Sequence, residues 1–352
     1  MELPCTQFSR DHYVGRTLLV FALLWAAALQ PAVGQSCRIT DLGTLPGGAF
    51  STAYGINSHG DVVGEATTAS GASHAFLFDD GVMTDLGTLP GGNFSIAFGI
   101  NDRGQVVGEA NTASGETHAF LFDDGVMTDL GTLPGGHFSI ARAINDRGQV
   151  VGLSVTASGA AHAFLFDDGV TTDLGTLPGR TSSIAVGIND RGQVVGLSQS
   201  KTASGVDHAF LFDDGVMTDL GTLPGGHFSN ASGINDRGQV VGQANTASGD
   251  THAFLFDDGV MTDLGTLPLA APFEPFSQAR AINDRGQVVG NSNTGSGARS
   301  HAFLFDDGVM VDLGPFPGGI FEIARGINDR GQIVGGLTTA SASHAALCTL
   351  TR

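Results

Sequence analysis

One unit of about 44 residues recurs nearly seven times along this 352-residue chain, and no other feature constrains the fold as much. A D-L-G element stands at Asp41, Asp85, Asp129, Asp173, Asp219, Asp263 and Asp312, in steps of 44, 44, 44, 46, 44 and 49 residues. An I-N-x-x-G element recurs at Asn57, Asn101, Asn145, Asn189, Asn235, Asn283 and Asn328. An H-A element recurs at His74, His118, His162, His208, His252, His301 and His344. A fixed period in the forties signals a propeller or a solenoid, because one such unit cannot bury its apolar face alone.

Each unit reads as two hairpins. In the second copy a strand at Ala119–Phe122 turns at Asp123-Asp124-Gly125 and returns from Val126 to Leu133. The next strand, Ile140–Ile144, turns at Asn145-Asp146-Arg147-Gly148 and returns through Gln149-Val150-Val151. Glycine in each turn supplies the positive φ of a type I turn with a bulge, and Asn145 can accept hydrogen bonds from the turn backbone. Phenylalanine, valine, isoleucine and threonine fill the strands, as a pleated surface favours. Four short strands per repeat predict a propeller blade.

The ends add an independent argument. The segment from Cys37 to Leu42 is the second strand of a hairpin without its partner, and His344–Cys348 is a first strand without its partner. If the two halves pair, they complete a seventh blade and remove an exposed edge. The reading is therefore all-β, a single seven-bladed propeller over residues 35–352, with a parallel β-solenoid as the alternative. Repeat alignment sets Cys348 in the place of Phe122 and Cys37 in that of Gly125, close across a turn. A Cys37–Cys348 disulfide would then staple the ring. Two unrelated buried thiols are the other reading.

Residues 1–34 differ from the rest. Arg10 and Arg16 precede an apolar run from Leu18 to Leu29, followed by Pro31 and the small residues Ala32, Val33 and Gly34. This is the pattern of a secretory signal peptide cleaved after Gly34. A run of about 12 residues is short for a membrane span, so no membrane insertion is expected after cleavage; a retained anchor is the alternative. Lipidation at Cys37 is left open, since Gly34-Gln35-Ser36-Cys37 matches a lipoprotein cleavage site poorly. The formal charge of −19 excludes general nucleic-acid binding. A monomer, secreted or periplasmic, is expected.

The run H-A-F-L-F-D-D-G-V-M-T-D-L-G-T-L, with G-I-N-D-R-G-Q-V-V-G, resembles the bacterial extracellular HAF-repeat family. The resemblance spans Arg38 to about Leu347. It implies export and repeat architecture, and implies no reaction.

Candidate chemistry is sparse. Seven equivalent histidines one blade apart do not converge as metal ligands must, so each is expected to bond within its blade, for instance to the D-L-G aspartate. The D-D-G pairs lack the ligand spacing of a calcium loop and read as solvated turn acids that make one face strongly negative, with calcium as the alternative. No cofactor motif is present. The clearest departure from symmetry is an insertion after Leu267-Pro268, which sets Phe273 and Phe276 between prolines on the face of the L-P-G-G connections. Both are candidate contacts for an extracellular protein or glycan, unless they fold inward. The functional expectation is a secreted, non-enzymatic binding or scaffold protein. The alternative is a secreted propeller lyase or hydrolase acting on polysaccharide. Three or more non-repeat polar residues converging at one channel mouth would point to the enzyme.

Overall fold

The computed structural model describes residues 36–199, 207–269, 274–294, 300–316, 319–340 and 342–351. The predicted leader, 1–34, lies outside them. Among the described residues, 28 strands form seven four-stranded antiparallel sheets, with no helix. The fold is a seven-bladed β-propeller.

In the second blade the strands are A, Ser95–Ile100; B, Val106–Asn111; C, Thr117–Asp123; and D, Val126–Asp129. They pair in the order A-B-C-D. The A strands of all seven blades line a central channel. The blade is half a unit out of phase with the unit counted from its histidine. The T-A-S-G connection joins B to C within one sheet, whereas L-P-G-G crosses to the next blade. The D-D-G and N-D-R-G turns therefore share one face, and the two connections share the other, as the alternation of strand direction requires.

The D-D-G turn differs from expectation. Asp124 and Gly125 both have positive φ, 47° and 82°, between the paired Asp123 and Val126. That is a two-residue type I′ turn, whose twist matches the flanking strands, and aspartate tolerates the left-handed region. The N-D-R-G turn follows expectation. Gly148 has φ 85°, and Asn145 Oδ1 accepts from the backbone N–H of Arg147 at 3.1 Å and of Gln149 at 3.0 Å.

Seven small apolar cores lie between neighbouring blades. One joins Val63, Ala75 and Leu89 of the first blade to Ala97, Val106 and Phe120 of the second. Phe120 is fully buried, which contributes about 2–3 kcal/mol. Its ring lies against Gly108, where any side chain would collide with that ring and with the Ile96 carbonyl. The glycine of each V-V-G is thus set by close approach.

Polar ties repeat with the cores. Each H-A histidine bonds the D-L-G aspartate of its blade through Nδ1, at 2.7–3.1 Å, in all seven blades. The same carboxylate accepts the N–H of the glycine two residues on, which ends strand D. A buried serine opening strand A joins blades: Ser139 Oγ accepts from Ala119 N at 2.8 Å and donates to Gly131 O at 2.6 Å, both in the preceding blade.

The last blade closes the ring. Strand Ser36–Asp41 pairs with Ser343–Thr351, setting Ile39 opposite Cys348 and Asp41 opposite Ala346. This excludes the solenoid. Cys37 and Cys348 are disulfide-bonded with their Cα atoms 5.5 Å apart, closing a loop of 311 residues. Ala346 stands where other blades have the core phenylalanine, and Phe321 fills the vacated space. An extra residue, Glu322, bulges strand A and brings Phe321 into the register of the usual serine, opposite Leu337. The Phe321 ring then lies against Gly335 as Phe120 lies against Gly108.

Candidate functional site

The A strands of six blades follow S-x-A-x-x-I and that of the last reads E-I-A-R-G-I, and the bulge after the alanine fixes which positions face the channel. From the turn face inward, the lining is layered. At the mouth, Asp102, Asp146, Asp190, Asp236, Asp284 and Asp329, with Ser58, form a rim. Each of the first five aspartates donates its backbone N–H to the carboxylate of the next, as Asp102 N does to Asp146 Oδ1 at 2.8 Å. Burial, with the charges of Asp146 and Asp236, raises the pKa of Asp190 despite its hydrogen bond from Asp146. Below the rim the asparagine side chains form a continuous hydrogen-bonded ring. Asn101 Nδ2 donates to Asn145 O at 3.0 Å, and the circuit closes from Asn328 to Asn57 O at 2.9 Å and from Asn57 to Asn101 O at 3.3 Å. Seven isoleucines come next, then glycine or alanine, where the strands crowd together.

These layers repeat; the following one does not. The residue after the strand's alanine reads Tyr54, Phe98, Arg142, Val186, Ser232, Arg280 and Arg325. With Ile184, Leu197, Asn230 and Gln278 these line a cavity of about 360 Å³ at the connection-face end of the channel. Its side chains are organised. The Arg325 guanidinium lies 4.8 Å from the Tyr54 ring centre, Tyr54 meets Phe98 edge-to-face at 5.2 Å, and Arg142 lies 4.5 Å from the Phe98 centre. Such cation–π contacts hold guanidiniums in place without neutralising them. The Tyr54 hydroxyl donates to Glu65 Oε1 at 2.9 Å, and Ser73 Oγ donates to Glu65 Oε2 at 2.8 Å. Burial, then the Glu65 charge, pushes the Tyr54 pKa up to about 12. Burial lowers that of Arg142, and burial with the charge of Arg325 lowers that of Arg280. Glu109, near Arg142, is raised by burial. Two polar atoms here are shut from solvent without a partner, Arg325 Nε and Asn230 Oδ1. Fixed cations and unsatisfied polar atoms in a concave site equip it to bind rather than merely to pack.

The aromatic loop fares differently. Phe273 lies outside the described residues. Phe276 is not an added aromatic of the insertion. Its carbonyl accepts from Asn293 N at 3.0 Å as Phe228 O does from Asn245 N, so it is the repeat phenylalanine, half-buried like its counterparts. The insertion had hidden this alignment. This cavity does not show in what the seven A-strand segments share. Comparing their fourth positions in the sequence exposes the site. Among the described residues, no group of three or more His, Cys, Asp or Glu is placed to hold a metal ion.

Residues 177–267, about two repeats, match a family described as "Protein of unknown function (DUF3466)". No curated protein matches the chain. Among solved structures, an oligogalacturonate lyase in complex with manganese aligns with TM-score 0.59 at 12% identity, covering 91% of this chain and 95% of that one. The β-propeller domain of the Trilobed protease from Pyrococcus furiosus aligns with TM-score 0.55 at 10% identity, covering 85% and 93%. A puromycin-hydrolysing peptidase of Mycobacterium tuberculosis aligns with TM-score 0.55 at 11% identity, covering 90% and 52%. At these identities the likeness is one of fold alone. The protease domain is described as having an open velcro topology; here the two terminal strands close the ring.

Proposed function

We propose that this chain is an exported HAF-type repeat protein that works as a non-enzymatic binding propeller, with its ligand seated at the connection-face end of the channel. The observation that carries the reading is the unrepeated lining from Tyr54 to Arg325, with Asn230 and Gln278 beside it, in a channel whose deeper layers repeat. A site that departs from symmetry only where it faces a cavity is shaped for something in that cavity. Export is supported by the Cys37–Cys348 disulfide, since such bonds persist in oxidising compartments. No helix among the described residues is long and apolar enough to cross a membrane.

A second reading, a secreted enzyme acting on polysaccharide, is the one to which more than three unrepeated polar residues at one channel mouth point, here Arg142, Asn230, Gln278, Arg280 and Arg325. Binding is the reading preferred because, among the described residues, the cavity lining holds no carboxylate or histidine to transfer a proton. One of the fold neighbours is a lyase. A glycan and small-acid array, followed by mass spectrometry of each bound compound after long incubation, separates the two. Bound compounds recovered unchanged support the binding protein. Cleaved products that vanish with R142Q or R325Q support the enzyme. Binding unaffected by either substitution removes the channel mouth as the site.

A further inference from the structure

Resting on the channel mouth as the ligand site, we infer that the ligand is an organic anion carrying at least two carboxylates. The central observation is a cationic pair with no carboxylate in ion-pair contact. Arg280 and Arg325 stand at equivalent positions on neighbouring A strands, both half-buried. Among the described residues the ion pairs within 4.0 Å all involve histidine, so neither guanidinium is in ion-pair contact with a carboxylate, although Glu65 and Glu322 line a neighbouring pocket with Arg325. Arg280 Nε makes only a long bond, 3.4 Å, to Asn291 Oδ1. Arg325 Nε is closed off from solvent and unpartnered. Two partly desolvated guanidiniums placed side by side repel each other. A carboxylate received between them would satisfy the orphaned N–H and remove the repulsion, because the planar guanidinium fork matches a carboxylate's two oxygens.

A second anchor lies across the Tyr54–Phe98 pair. Arg142 is held on Phe98, with the Glu109 charge partly offsetting its own. This spacing calls for a ligand with anionic groups at two separate points. Asn230 Oδ1, buried and unpartnered in the same cavity, offers an acceptor for a ligand hydroxyl between them. A hydroxylated small polycarboxylic acid and a short uronic-acid oligosaccharide both present that chemistry.

Isothermal titration of the disulfide-bonded mature protein tests this, with citrate, trigalacturonate, methyl-esterified trigalacturonate and inorganic phosphate as probes. One of the two acids is expected to bind, and which one identifies the source. The ester should bind at least tenfold more weakly than the free trimer if the trimer is the ligand, and phosphate more weakly than the acid that binds. R280Q and R325Q should each weaken the acid at least tenfold, while R103Q, exposed on the opposite face, leaves it unchanged. Circular dichroism melts check that the variants fold, and the wild-type comparison of probes stands without them. Binding of neither acid, or tighter binding of phosphate, overturns the inference. Equal binding of trimer and ester, lost in R325Q, overturns the carboxylate requirement but leaves the channel mouth as a ligand site. Acid binding indifferent to both folded variants overturns the inference and the site together.

Discussion

Tyr54 shows how far single residues of the mouth have left the repeat. Its phenol is half-buried, donates to Glu65 and is held up to about 12 by burial first and the carboxylate second. The chain has two tyrosines, Tyr13 and Tyr54, so protein lacking residues 1–34 reports Tyr54 alone in a phenolate absorbance titration. The midpoint should lie near 12 rather than 10, and E65Q should bring it down. A raised folded pKa means that the native state holds the proton more tightly than the unfolded chain. The associated stability is full below pH 10 and is lost as pH rises through about 12. Denaturant midpoints across that window should fall in wild type, and that share of the fall should be absent from Y54F. A wild-type midpoint at 10 would mean that the ring is solvated and the mouth is not the enclosed site described. The histidines behave as the sequence implied. Their spacing from D-L-G is the same in six copies, and in the closing blade His344 meets Asp41 from the other end of the chain, so each binds the aspartate of its blade.

Strands and turns were legible wherever local chemistry decides them, and less so where one blade compensates for another. The alternation of A-F-L-F and V-V-G, with glycine in each turn, placed the hairpins. The D-D-G turn type was misjudged because aspartate's tolerance of positive φ, 47° at Asp124, is less visible in sequence than glycine's. The phase of the blade could not be read from one unit, because both connections are short and only pairing tells which one crosses. The last blade depends on a distant exchange: Ala346 on strand C leaves a gap, and a bulge at Glu322 brings Phe321 to fill it. F321A should therefore cost about 3–5 kcal/mol, the range for a fully buried phenylalanine, in equilibrium urea unfolding. A loss below 1 kcal/mol would show that Phe321 does not substitute for the missing ring.

For the whole propeller, closure leaves no terminal blade, because pairing of the two terminal strands completes the last sheet and gives every blade two neighbours. The pairing of Ser36–Asp41 with Ser343–Thr351 was legible from the two unpartnered half-hairpins, and the disulfide followed from repeat alignment. Loop-closure entropy for a loop of this length gives at most about 5–6 kcal/mol. C37S/C348S should lower the melting temperature by several degrees, more than any single substitution in a D-D-G turn, and an unchanged melt would remove the staple from the account. The functional centre is illegible in what the repeats share, since its signal lies where the A strands differ. The central claim is that this disagreement marks where a ligand sits. The most direct measurement is hydrogen–deuterium exchange of protein lacking residues 1–34, with and without its best binder from the acid and glycan panel. The account predicts new protection in the A strands around Asn230–Ser232, Gln278–Arg280 and Ile323–Arg325. Protection confined to residues 274–276 or to the outer D strands, with these segments unchanged, would contradict it.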